Sequence, residues 1–353
     1  MNSKNVLLFD QIKNELRDLL SRDFYVLGDE TKRFEQEFAK YMGVKHCVTV
    51  SSGTSALVLL LRACKLPLGS KVLVPAFTPI PTSMAIFEAG LIPEFVDVDK
   101  KNLTLDLDQL ERHIKPDVKA IIPVHIFGKL CPLDRINRFA EKHQLKIIED
   151  ACQAVGSRHP DFSIGEFSLG AGMSFYPTKN LGCWGDGGAI LTNSSQLAEM
   201  FMEMRHYGFD SNFESKSRGA NYRMDELQAL VLRKKLSDLE SYNDSRRKLA
   251  QKWKHLLGEK GFQSLTDGEK HNYHVISFIC ENSSVKNRIR EAFKEAGLRH
   301  RFFYDYPVQS FNGLNLKPNF HLENCEWISQ RVINLYETEK CFEIVSDIVQ
   351  KKQ

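Results

Sequence analysis

Between about residues 45 and 195, short apolar runs alternate with segments of helical period, and this alternation narrows the fold more than any other feature. Cys47-Val48-Thr49-Val50 leads into Ser51-Ser52-Gly53-Thr54, and Ala56 to Arg62 then reads as a buried helix. Val72-Leu73-Val74 is a strand stopped by Pro75, Met84 to Ala89 a short helix, and Ile92 to Val98 a strand. Leu107 to Ile114 reads as a helix, Ala120 to Val124 as a strand, Leu133 to His143 as a helix and Leu145 to Ile148 as a strand. The strands are continuously apolar, without the period-2 pattern of a half-exposed sheet. That predicts an α/β chain whose mostly parallel sheet is covered by helices on both faces. Ligands of such sheets sit beyond the carboxyl ends of the strands, so the residues just after each apolar run carry the interest.

The pattern then changes. A charged helical stretch runs from Met224 to about Leu257 and reads as a solvated helix face. After it come a strand over His274 to Cys280, a helix over Val285 to Ala296 and a strand over Arg301 to Tyr304. With 353 residues, more than one core is expected. The division is an N-terminal helical arm (1–24), a large domain (25–244) and a smaller α+β domain (245–353). Forty-eight basic against 45 acidic residues leave +3, too balanced for nucleic acid or an anionic membrane as main partner. No run approaches the roughly 18 apolar residues of a spanning helix. The eight scattered cysteines, without a CxxC pair, fit reduced thiols in a cytoplasmic protein.

Three segments at strand ends could carry chemistry. Ser51 to Leu57 lies between a strand and a helix, where small residues and the helix N-terminus suit an anion, although Ser and Thr also serve there as plain N-caps. It matches neither GxxxxGK[ST] nor GxGxxG. Glu149-Asp150-Ala151-Cys152-Gln153-Ala154 puts one or both carboxylates at the sheet edge, as a ligand group, an N-cap Asp or a surface ion pair. Met173 to Gly182 holds Lys179 among aromatic and small residues, followed by Gly185, Gly187 and Gly188. A lysine confined in such a loop loses ammonium stability and becomes a nucleophile; the alternative is a surface lysine in a Gly-rich hairpin. An anion cradle, a carboxylate and a confined lysine together are what pyridoxal 5′-phosphate requires.

Six ordered stretches resemble the DegT/StrS family of pyridoxal-phosphate-dependent sugar aminotransferases. They are Ser52 to Leu57, Val124 to Gly128, Glu149 to Ala154, Ser174 to Leu181, Gly185 to Ala189 and Gly219 to Ala229. The resemblance implies the type I aminotransferase fold, with a mixed seven-stranded sheet and a small C-terminal domain. It implies Lys179 as Schiff-base lysine and proton shuttle, Asp150 at the pyridine nitrogen and Gln153 at the ring hydroxyl. Gly53, Thr54 and Ser174 would bind the phosphate. Asn221 would reach the phosphate of a partner subunit, so a homodimer with shared active sites is expected. The implied reaction moves an amino group from an amino-acid donor, expected to be glutamate, to a nucleotide-linked keto-sugar. A dehydratase and a non-catalytic cofactor-binding regulator are the alternatives.

Two positions depart from the family. Pro79 stands where a ring-stacking aromatic is usual, so that either the proline packs on the ring or Phe77 is redirected. Asp305 and Phe311 stand where histidines that help hold the sugar nucleotide are usual. Cys152 is expected to pack and not to react, and His125 to be a hydrogen-bonded structural histidine.

Overall fold

A computed structural model describes residues 2–258, 263–264, 270–298, 303–310, 321–335 and 339–350. The helices are α1 (Asn2–Leu20), α2 (Asp29–Met42), α3 (Gly53–Ala63), α4 (Ile80–Glu88), α5 (Leu133–His143), α6 (Ser195–Met204), α7 (Glu226–Leu236), α8 (Leu239–Gly258), α9 (Ser283–Glu295), α10 (Glu323–Ser329) and α11 (Glu339–Gln350). The strands are β1 (His46–Val50), β2 (Lys71–Pro75), β3 (Ile92–Val96), β4 (Val118–Ile121), β5 (Lys146–Ile147), β6 (Glu149–Asp150), β7 (Ala171–Ser174), β8 (Gly188–Thr192), β9 (Gln263–Ser264), β10 (Ile276–Ile279) and β11 (Val332–Leu335).

Two ladders, β3-β2-β4-β5 and β1-β8-β7-β6, meet because β5 and β6 are one pass of chain interrupted only at Ile148. The parallel bridge between Val124 and Asp150 continues the join. The result is a seven-stranded mixed sheet in which β8 alone runs antiparallel to its neighbours β7 and β1. This is the expected type I arrangement. Helix α3 fills the space against it: Leu57 to Leu61 are each at most 1% exposed. Each such side chain contributes about 1.5–3 kcal/mol on burial. The helix is apolar all round because sheet and helices cover it on every side.

A three-stranded antiparallel sheet, β11-β10-β9, supports a second core built from Trp253, Tyr273, Phe278, Ile289, Phe293 and Val345. Position 245 falls inside α8. Asp97 joins the two parts: its carboxylate accepts the N–H groups of Asn324 at 2.9 Å and Cys325 at 2.8 Å, at the start of α10.

Several local readings change. The helix expected from Met84 begins at Ile80, because Pro81 suits a first turn, and Leu107–His113 is a 3-10 helix. The charged stretch is two helices, and it is less solvated than its composition suggests. Arg233 pairs with Glu30 and Glu37, and Arg246 donates to the Tyr273 carbonyl at 2.6 Å. Phe303 and Tyr304 lie in a turn, not a strand; Arg301, Phe302 and Phe311 lie outside the described residues. No helix among the described residues is long and apolar enough to cross a membrane.

Candidate active site

The cleft is built where β6, β7 and the N-terminus of α3 converge. Alternation along β6 sends Glu149 and Asp150 to opposite faces. Glu149 turns inward and accepts from His125 Nε2 at 3.0 Å, Gly165 N at 2.9 Å and Ser168 Oγ at 2.5 Å. His125 Nδ1 accepts the Cys131 N–H at 3.0 Å, so the ring carries its proton at Nε2 and donates it to Glu149. The histidine is fully buried and structural, as expected.

Asp150 takes the other direction. Its Oδ2 accepts the Thr82 hydroxyl at 2.7 Å and its Oδ1 accepts the Cys152 N–H at 3.1 Å, while only 4% of the residue is exposed. Thr82 comes from α4 and is itself fully buried, with Thr78 Oγ1 at 3.2 Å from its hydroxyl. Nothing in the sequence singled out Thr82, the third residue of α4, because the expected helix began only at Met84.

Lys179 follows β7 in a tight turn closed by its own N–H to the Tyr176 carbonyl at 2.8 Å. Burial pulls its ammonium below the ordinary lysine range, against the opposing pull of Cys152 and Asp150. Loss of the proton is thereby made easier than for a solvated lysine, on a half-buried side chain. Cys152 lies beside it, its thiol pushed far up by burial and then by Asp150, which makes it an inert packing group.

The turn is held by its next residue. Asn180 Nδ2 donates to Asn243 Oδ1 at 2.8 Å and to the Asn272 carbonyl at 2.9 Å, leaving Oδ1 to accept from His274 Nδ1 at 3.1 Å. Burial, and then the charge of Lys179, keep His274 neutral by pushing its pKa well below the usual value. Asn272 also reaches back to the carbonyls of Gln153 and Val155, at 2.8 and 3.0 Å. Gly128 permits this approach; at φ 98° it sits in the left-handed region, and a Cβ there would lie 1.8 Å from Asn272 Oδ1. Sequence reasoning gave these asparagines no role: Asn180 lies in the lysine loop, and Asn243 and Asn272 come from two further stretches of chain.

At the start of α3, Ser52 is the N-cap, its hydroxyl accepting the Ser55 N–H at 3.0 Å. The plain capping role thus holds at a helix start where Gly53 is buried and Ser52 and Thr54 are half-buried. A Cβ on Gly53 would lie 2.7 Å from Cys152 Sγ and 2.8 Å from Ser174 Cβ, so only glycine leaves room there. Gly53 thus packs against both Cys152 and Ser174, and Thr54 follows half-exposed on the first turn.

Gln153 accepts the Phe127 N–H at 2.6 Å and donates from Nε2 to the Tyr304 hydroxyl at 2.9 Å. Phe77 is fully buried against Tyr304 and Phe127, with ring centroids at 5.1 and 6.0 Å. Pro79 remains half-exposed as the N-cap of α4. Asn221 is exposed, accepts from Arg223 Nε at 2.9 Å, and makes no contact with Lys179 or Asp150 among the described residues.

These residues fit pyridoxal 5′-phosphate. A buried carboxylate with two oriented donors, a lysine whose ammonium is destabilised, and a helix N-terminus that begins at Gly53 would receive its ring nitrogen, aldehyde and phosphate. Fold and cleft define a pyridoxal-phosphate-dependent transaminase class. The chain belongs to the DegT/DnrJ/EryC1/StrS aminotransferase family, matching it over residues 8–349. It is 38% identical over 319 residues to the erythromycin biosynthesis sensory transduction protein EryC1 of Saccharopolyspora erythraea, spanning 88% of this chain and 86% of that one. It is 33% identical over 320 residues to the dTDP-3-amino-3,4,6-trideoxy-alpha-D-glucose transaminase of Micromonospora megalomicea subsp. nigra, spanning 87% and 85%. Among solved structures, S. venezuelae DesV in complex with a ketimine intermediate superposes with a TM-score of 0.89 at 32% identity, over 98% of this chain and 96% of that one.

Proposed function

We propose that this aminotransferase moves an amino group from glutamate to the keto group of a nucleotide-linked deoxyhexose, in the cytoplasm, for surface polysaccharide or related sugar synthesis. The observation that carries the reading is the half-buried Lys179, its ammonium destabilised, beside the buried and oriented carboxylate of Asp150. Pyridoxal 5′-phosphate supplies, when bound, a carbonyl that exchanges the amino group and a ring that accepts electrons from the substrate carbon.

The chain's own residues do the rest. Lys179 Nζ takes a proton from the donor's α-carbon and returns one at the sugar carbon, a role that its lowered hold on its own proton suits. Asp150, held by Thr82 and the Cys152 N–H, keeps a negative charge at the ring nitrogen. Gly53, Thr54 and Ser174 hold the phosphate. Gln153, whose Oε1 is occupied by Phe127 N–H, presents Nε2 towards the ring hydroxyl. Asn221 acts across a homodimer interface, so that each cleft draws on two subunits; its exposure supports that reading. Residues 1–24 serve as an arm, 25–244 as the cofactor-binding part and 245–353 as the smaller domain.

A two-stage assay tests the proposal. Glutamate alone should convert the holoenzyme from its pyridoxal to its pyridoxamine form, with 2-oxoglutarate released. A panel of nucleotide-linked keto-sugars should then show the mass change of oxygen replaced by NH and two hydrogens in one member. A holoenzyme that glutamate leaves unchanged would instead support a cofactor-holding regulator, a reading kept open by the name of the 38% identical EryC1. Loss of water from the sugar without 2-oxoglutarate would point to a dehydratase.

A further inference from the structure

We propose that Tyr304 is a positioning residue for the cofactor cleft that acts through the Gln153 amide, and that the Asp305–Lys286–Arg290 ion cluster fixes where it stands. The inference rests on Gln153 facing the cofactor ring, as in the reading above.

A glutamine side chain has two nearly equivalent orientations unless its partners tell oxygen from nitrogen. Gln153 is told at both ends. The Phe127 N–H can only donate, so it fixes Oε1, and the Tyr304 hydroxyl accepts from Nε2 across 151 residues of sequence. One Nε2 proton is thereby spent on Tyr304 and the other is left for a ligand in the cleft. Among the described residues, the phenol is the partner that restrains the nitrogen end.

Tyr304 is itself placed with unusual care. Its φ of 63° lies in the left-handed region, which an aromatic residue adopts only where its surroundings enforce it. The ring packs against Phe77 at 5.1 Å and Phe127 at 5.5 Å. On one flank the Phe303 N–H donates to Asn334 Oδ1 on β11 at 2.5 Å, and Asn334 is braced by Ser277 at 2.9 Å. On the other, Asp305 Oδ1 lies 2.6 Å from Lys286 Nζ and 2.8 Å from Arg290 Nη2. Lys286 is 3% exposed and also donates to the Ser329 carbonyl at 2.6 Å. Three residues further on, the Val308 N–H donates to the Ala76 carbonyl at the end of β2 at 3.0 Å. The 303–308 segment is therefore a strut running from α9 and β11 to the cleft, and Tyr304 is its contact point. Asp305, which departs from the family's usual histidine, has its use here: a carboxylate is what a buried lysine needs as counter-charge.

The test is a double-mutant cycle of Tyr304→Phe with Gln153→Ala, since the phenylalanine keeps the ring packing and removes only the hydroxyl. Two properties are read: the dissociation constant of pyridoxal 5′-phosphate for the apoprotein, by titration, and the pH at which the visible absorbance of the holoprotein titrates. Tyr304→Phe is expected to weaken cofactor binding about three- to tenfold and to shift the absorbance titration. The same change in the Gln153→Ala background should add nothing, because its route is gone. Asp305→Asn should reproduce the Tyr304→Phe shift. Wild-type behaviour of Tyr304→Phe, or an equal effect in both backgrounds, overturns the positioning role while leaving the transaminase reading intact. An Asp305→Asn protein with wild-type affinity removes the ion cluster from it. A wild-type protein that takes up no cofactor overturns both readings together.

Discussion

The Thr82 hydroxyl donates to Asp150 Oδ2 at 2.7 Å, joining the first turn of α4 to the carboxyl end of β6 across the floor of the cleft. A carboxylate buried this deeply needs donors to stay ionised and oriented, and this bond with the Cys152 N–H supplies them. A hydrogen bond to a charged group is worth about 1.5–3 kcal/mol. Thr82→Val should therefore weaken pyridoxal 5′-phosphate binding by roughly ten- to a hundredfold, measured by titration of the apoprotein. Unchanged affinity would mean that Asp150 is oriented by other means.

Lys179→Ala removes the only amine that the β7 turn brings to the carboxylate. Transamination should drop by at least the roughly hundred- to ten-thousand-fold typical of a lost proton-transfer group, and the visible colour of the holoprotein should disappear. Circular dichroism should show a folded protein, since the neighbouring Asn180 holds the turn through Asn243 and Asn272. Full activity in this variant would end the proposed mechanism.

Gly53→Ala asks whether the cradle depends on missing volume. The added methyl would meet Cys152 Sγ at 2.7 Å and Ser174 Cβ at 2.8 Å. Overpacking of this kind costs about 1–3 kcal/mol. Both the urea midpoint and the cofactor affinity should fall, and Cys152→Ala in the same chain should recover part of each. Crystallography of the variant would show Ser174 displaced if the contact is as drawn.

Acid should destabilise the protein through its buried histidines. Burial, followed by the charges of Lys129, Lys254, Arg247 and Arg246, pushes His271 down to about 3, and His274 is likewise held well below its usual value. The unfolded chain takes up protons at both below about pH 6.5, where the folded chain does not. Stability is thus complete above that pH; for His271 it falls as the pH drops towards about 3, by about 1.4 kcal/mol per unit, and His274 acts in the same direction. His271→Asn, which keeps an acceptor for the Tyr273 N–H, should flatten the slope of urea-derived stability between pH 6 and 4 by about that amount. A parallel slope would show that His271 is not a source.

Much of the architecture follows from local rules. Continuous apolar runs such as Val72 to Val74 made a parallel sheet the economical arrangement, and the Ser51–Thr54 and Lys179 segments announced themselves by composition and position. Element ends were less legible, because they depend on hydrogen bonds from distant residues. The start of α2 is an example: Glu226 accepts the N–H groups of Gly28, Glu30 and Thr31 from almost two hundred residues away.

By itself the sequence determined the strand-helix alternation, the lysine, the carboxylate pair and the small-residue helix start, since each is written in a few adjacent residues. Only tertiary structure decided which carboxylate faces the cleft, what orients it, and what fixes the lysine turn and Gln153. Thr82, Asn272, His274 and Tyr304 act at distances of chain where no local pattern reaches. Their roles arise from the packing of β6, β7, α4 and the C-terminal segments against one another, which sets hydrogen-bond geometry to tenths of an ångström.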